Sequence, residues 1–185
     1  LEPILQQLEK IDGRAPLSIF TNQIDPNEPQ LQRWLKRGVS IEVHTIDHPC
    51  PLLKDGDFEQ SKKTVHQCLD LLDGIPNMRP VAYRMPCCDS MNSVSPRFYD
   101  DIMDPLTPSG NFLSSDSSVF QIFTADDPEL PRELFANGNE KRFERYVPLG
   151  KDFVGTIENY PYPYLIGKQH WQFPCTVPSD WEAQY

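Results

Sequence analysis

The chain has 185 residues, 38% of them hydrophobic, which is enough to bury one core without disulfide or metal staples. Its 17 Lys and Arg stand against 27 Asp and Glu. The resulting net charge of −10 repels phosphate, so neither nucleic acid nor anionic lipid is expected as a partner. No apolar run of about 18 residues exists, so no membrane span is expected.

Pro outnumbers Gly by 19 to 9, with 24% charged and 11% aromatic residues, a composition that predicts short elements joined by stiff, ordered loops. Five Cys (Cys50, Cys68, Cys87, Cys88 and Cys175) are odd in number and show no Cys-x-x-Cys spacing, which argues against a zinc ribbon or a thioredoxin-type site. The chain starts at Leu1 and not at Met, so an upstream segment is expected.

In chain order, Ile4, Leu5, Leu8 and Ile11 recur at helical spacing, and Gly13 follows as a stop. Leu17 to Phe20 reads as a buried strand. Leu31, Trp34 and Leu35 mark a short helix ended by Gly38. Val39, Ile41 and Val43 alternate with polar residues, a strand running into His44. Phe58, Val65, Cys68, Leu69 and Leu72 form a helical stripe, with Asp57 as N-cap and Gly74 at the exit. Pro80 to Tyr83 reads as a strand and Pro96 to Met103 as a helix. Beyond Pro105 the rhythm weakens, with strands expected at Phe112–Leu113 and Val119–Phe123. An irregular excursion is expected at about 125–150, and Tyr160 to Tyr164 reads as extended. The alternation predicts one α/β domain over 1–185, built on parallel strands.

The segment Ser40-Ile41-Glu42-Val43-His44-Thr45-Ile46-Asp47-His48-Pro49 holds two of the four His in the chain. A strand delivers His44, and a compact turn can return His48 beside it, so both imidazoles can reach one metal ion. Pro49 disfavours a helix running on through His48. Asp47 is placed to orient an imidazole. The bare spacing also arises by chance, and two His are not a full ligand set.

With its flanks, His44-Thr45-Ile46-Asp47-His48-Pro49 resembles the His-Ser/Thr-x-x-His-Pro motif of the polysaccharide deacetylase family, the NodB-homology domain. Tyr83-Arg84-Met85-Pro86-Cys87 is similar to the family's later Arg-x-Pro-Tyr motif, with Cys87 where Tyr is usual. Leu113-Ser114-Ser115-Asp116-Ser117-Ser118 is similar to its strand ending in Asp-Ser-Ser. The resemblance covers about residues 1–125, and more loosely extends to Pro174.

The resemblance implies a distorted, incomplete (β/α) barrel whose first strand lies outside this chain. It implies hydrolysis of acetyl groups on a carbohydrate substrate, with a divalent metal, zinc by family habit, held by His44, His48 and an Asp. Arg84 would hold a base carboxylate ionised, and Asp116 would act beside it. Pro86 and the backbone N–H of Cys87 would face the substrate oxyanion. The family's acidic motif, Thr-Phe-Asp-Asp-Gly, has no counterpart before His44 and is expected upstream of Leu1. The only similar run, Phe123 to Asp127, lies on the wrong side of the His pair. Without that acid pair the chain alone is expected to hold metal weakly and to release no acetate. His170 is a weak match to the family's general-acid His. The rival readings are a non-catalytic carbohydrate-binding relative and a structural zinc module built on Cys50 and Cys87. Trp171, Phe173 and Trp181 suit either sugar stacking or the core.

Overall fold

A computed structural model describes residues 1–49, 52, 57–86, 96–122, 156–158 and 162–175. Helix α1 (Glu2–Asp12) stops at Gly13, whose left-handed conformation (φ 65°) lets its N–H bond the Glu9 carbonyl at 2.8 Å. Strand β1 (Ser18–Thr21) follows, then α2 (Leu31–Lys36) and β2 (Ser40–Val43). Helix α3 (Phe58–Asp73) starts where the Asp57 carboxylate accepts the Gln60 N–H. It buries Val65, Cys68, Leu69 and Leu72. Gly74 ends it in a right-handed conformation, and what the position requires is space: a Cβ there would sit 3.3 Å from the Asp70 carbonyl.

Strand β3 is Ala82–Tyr83, and α4 (Pro96–Phe98) runs on into a π-helical turn, Tyr99–Met103. Strand β4 is Ser115–Asp116. The strand expected at Phe112–Leu113 does not form. Leu113 is buried, but its N–H bonds the Met103 carbonyl, which spends the donor a strand would need. Strands β5 (Phe120–Ile122) and β6 (Thr156–Glu158) pair in parallel as a separate ribbon. Strands β7 (Tyr164–Ile166) and β8 (His170–Gln172) form an antiparallel hairpin. The expected excursion at 125–150 lies outside the described residues, as does the start of the Tyr160–Tyr164 segment.

The main sheet has six strands in the order β1-β2-β3-β4-β8-β7, all parallel except β7. One face carries Val43, Tyr83, Asp116 and Gln172, which follow one another in register. Helix α3 and the π-turn cover this face, and Phe98 packs its ring 5.5 Å from that of Tyr83. By alternation the other face carries Phe20, Glu42, Ala82, Ser115 and Trp171. Among the described residues no helix is long and apolar enough to cross a membrane.

Glu42 is only 3% exposed, and its carboxylate accepts the N–H groups of Val81 and Ala82 at 2.9 and 2.8 Å. Burial pushes its pKa up from the ordinary 4.5, and the two amide bonds only partly offset this. A raised folded pKa gives stability that is present below 4.5 and lost as pH rises through the folded value. Glu42→Gln keeps an acceptor oxygen and removes the titration. Urea unfolding of the variant is therefore expected to lack the decline above pH 4.5 that the wild type shows, and an unchanged pH profile would refute the assignment.

Candidate active site

His44 follows the last residue of β2, and Arg84 follows the last residue of the adjacent parallel β3. Asp116 ends the next strand, β4. The three thus reach the same carboxyl end of neighbouring parallel strands, where loops are free to carry chemistry.

The turn between the two imidazoles is strained. Thr45 and His48 both lie in the left-handed region, at φ 65° and 52°. For a β-branched residue such as Thr45 this is a costly conformation, on the order of 1–3 kcal/mol. Local bonds hold it. The His48 N–H donates to the Thr45 hydroxyl at 3.1 Å, and the Ile46 N–H donates to the Thr64 carbonyl at 3.1 Å. The result brings the rings of His44 and His48 edge to face, with centroids 4.9 Å apart.

The orienting partner of His44 differs from expectation. Nδ1 of His44 bonds the Arg84 backbone carbonyl at 2.7 Å, which makes Nδ1 the protonated nitrogen and leaves the Nε2 lone pair available. Asp47, expected to orient an imidazole, instead accepts the Thr64 hydroxyl. Burial lowers the His44 pKa below 6.5; the bond to the Arg84 carbonyl opposes this, while the nearby His48 and Arg84 charges reinforce it. The ring is therefore held in the neutral form that a metal requires. Behind it Cys68 is buried, its thiol donating to the Thr21 carbonyl at 3.4 Å, and burial pushes that thiol's pKa up. This fits the core role expected from its place on the α3 stripe.

With the acid pair expected upstream of Leu1, a guanidinium at Arg84 should turn to another acid, Asp89 or Asp116, or to solvent. It is half-buried, and among the described residues it turns to neither acid. Its Nε donates to the Ser117 carbonyl at 3.1 Å and a terminal N–H to the Ser117 hydroxyl at 2.7 Å, while the guanidinium stands 4.5 Å from the Phe20 ring centre. Arg84 therefore spans the open face between β1 and β4. Asp89 lies outside the described residues.

Asp116 is fully buried and faces the opposite way, toward the phenols of Tyr99 and Tyr164. Burial first, and then the Asp116 charge, raise the pKa of both. Its carboxylate accepts the Ser118 hydroxyl, and that hydroxyl accepts the Met85 N–H at 2.8 Å. Thus the two serines after Asp116 divide the work: Ser117 holds the Arg84 side chain, and Ser118 holds the backbone beyond it. The sequence signal was there in the Asp-Ser-Ser run, but alternation on so short a strand separates the three side chains onto two faces.

Pro86 is buried at the start of the loop after β3, and Cys87 and Cys50 lie outside the described residues. His170 sits at the amino end of β8, the end of the sheet away from His44. Its ring is 3% exposed and is held by the Leu113 carbonyl at 3.0 Å and the Asp104 carboxylate at 2.5 Å. This corrects the general-acid reading of His170, because a buried ring at the wrong end cannot reach a group at His44. His66 bonds the Ile102 carbonyl at 3.0 Å and ties α3 to the π-turn, a structural role.

The imidazole pair fits two of the protein ligands of a divalent metal. Among the described residues no third His, Cys, Asp or Glu completes a set.

A model of the polysaccharide deacetylase family matches residues 1–97, which include the His pair and Arg84. The chain belongs to that family, and so to the carbohydrate deacetylases, hydrolases that act on acetyl amide bonds. Neither a curated protein nor a solved structure matches the chain.

Proposed function

We propose that the protein is a metal-dependent carbohydrate deacetylase in which His44 and His48 are two ligands of one divalent ion, zinc by preference for imidazole. The observation that carries this reading is the pairing of the two rings at 4.9 Å, with His44 neutral and its Nδ1 tied to a backbone carbonyl. Such a metal supplies Lewis acidity toward an acetyl carbonyl and an activated water.

The other roles belong to this chain's own groups. Arg84, held by Ser117, presents a fixed positive charge on the same face as His44, suited to keeping an acidic partner ionised. Pro86, buried just beyond β3, and Cys87, next in sequence, are the residues that would face the acetyl oxygen. Asp116 acts through Ser118 as a positioning group for that segment. The sheet is read as the wall of a distorted (β/α) barrel of the NodB type. Among the described residues no third ligand clusters with the imidazole pair.

The test is acetate release from N-acetylated chito-oligosaccharides and from O-acetylated xylan by the natural full-length protein, with zinc and with a chelator. Release that the chelator abolishes is expected. Release undiminished by chelation would overturn the metal's role, and absence of release from every acetylated carbohydrate would overturn the deacetylase reading in favour of a non-catalytic relative.

A further inference from the structure

At the carboxyl end of β4 the sheet departs from regular pairing on both sides of one residue, Ser117. On the β3 side the N–H groups of Ser115 and Ser117 donate to the carbonyls of Val81 and Tyr83 at 3.1 and 2.9 Å. A parallel ladder that ran on would then give the Ser117 carbonyl to the Met85 N–H. That N–H goes instead to the Ser118 hydroxyl at 2.8 Å, so the Ser117 carbonyl is released from the ladder. On the β8 side Trp171, Phe173 and Cys175 donate their N–H groups to the carbonyls of Ser114, Asp116 and Val119. The donors are evenly spaced along β8, but the facing segment carries one extra residue between Asp116 and Val119. Such a bulge is a common device for re-aiming a side chain beside an active site.

Two side chains take the released carbonyl, each at 3.1 Å: the Arg84 Nε–H from beyond β3 and the Cys175 thiol from beyond β8. The Ser117 hydroxyl is shared by the same two residues, with a terminal nitrogen of Arg84 at 2.7 Å and the Cys175 sulfur at 3.7 Å. The proton inventory fixes the direction of each bond. A guanidinium only donates, so the hydroxyl receives Arg84 on a lone pair and turns its own hydrogen to the sulfur. The sulfur spends its hydrogen on the carbonyl. Both Ser117 atoms that grip Arg84 are thus also bonded to Cys175. Cys175 is itself pinned, because its N–H bonds the Val119 carbonyl at 2.7 Å.

We propose that Cys175 is a positioning residue for Arg84: it fixes the Ser117 side chain and carbonyl, and through them the direction of the guanidinium. The planar fork of an Arg serves a carboxylate only from the right direction. The thiol works here as a small group that both donates and accepts, not as a nucleophile or a redox centre. The proposal rests on the deacetylase reading for what Arg84 does in catalysis. It adds that β8, the last strand to join the parallel ladder, sets the aim of a side chain carried just beyond β3.

Proton exchange at the Arg84 Nε–H, followed by nuclear magnetic resonance in the natural full-length protein with isotope-labelled arginine, tests it. The resonance is identified by its loss in Arg84→Lys. Cys175→Ala removes both donor and acceptor, whereas Cys175→Ser keeps both. In Cys175→Ala the exchange is expected to quicken by about 10-fold. The kcat for acetate release should fall by about 3- to 10-fold, with KM held within about 2-fold. Cys175→Ser should restore exchange and kcat together. Wild-type exchange in Cys175→Ala overturns the proposal, as does a Cys175→Ser protein as impaired as Cys175→Ala. A raised KM with kcat unchanged also overturns it, because Cys175 would then act on substrate binding. Should Cys175→Ala fail to fold, Cys175→Val fills the space without donating or accepting, and the same outcomes decide. If no acetylated carbohydrate releases acetate, the deacetylase reading fails, and the exchange rates alone still uphold or overturn the hold of Cys175 on Arg84.

Discussion

Replacing His44 by Ala in the natural full-length protein is expected to lower divalent-metal affinity by more than about 100-fold and to abolish acetate release. The size of the effect follows from how the ring is held. Its Nδ1 is tied to the Arg84 carbonyl, so the strand end delivers one lone pair in one direction, and burial keeps that nitrogen unprotonated. Among the described residues no other His, Cys, Asp or Glu clusters there to take its place. His48→Ala should do the same. Metal content after dialysis, measured by mass spectrometry alongside near-ultraviolet circular dichroism, separates loss of a ligand from loss of fold. A folded His44→Ala protein that keeps a full metal complement would remove the imidazole pair from the site.

The largest stability effect is expected at Phe98. Its side chain is fully buried, and its ring sits 5.5 Å from Tyr83 and 5.4 Å from Tyr99. It is the wedge between the π-turn and the sheet row that ends at the site. Phe98→Ala should cost about 3–5 kcal/mol, from lost burial and the cavity left behind. Ile11, 83% exposed on α1, is the contrast: Ile11→Ala should stay within about 0.5 kcal/mol. Urea unfolding of the two variants measures both, and near-equal losses would mean that the α4 layer does not support the sheet.

The elements that sequence predicts best are those whose burial is periodic. The α3 stripe is visible because a water-facing side and a core-facing side impose different residue types, and the alternation of Val39, Ile41 and Val43 marks a strand even though Glu42 between them is buried. The His pair was legible for the same reason, as it begins where the alternation ends. Other features leave no such trace. The carbonyl of Arg84 orients His44, and a carbonyl belongs to every residue, so no letter marks it. Asp47 was a reasonable acceptor by type but was taken by Thr64 on another element. The left-handed Thr45 and His48 carry no Gly or Asn to announce them. On β4, where only Ser115 and Asp116 are paired, residue type alone could not tell which of Asp116 and Ser117 faces Arg84.

Strands β1 to β4 join the sheet in chain order, but β8 enters beside β4 only after the chain has run through residues 117–169. The two halves of the open face are therefore separated in sequence while adjacent in space. Closing a longer connection costs only about 0.6 kcal/mol for each doubling of its length. The stretch between β4 and β8 can thus gain or lose residues over generations with little effect on the sheet, while His44, His48 and Arg84 stay just beyond the ends of β2 and β3, which such changes do not touch.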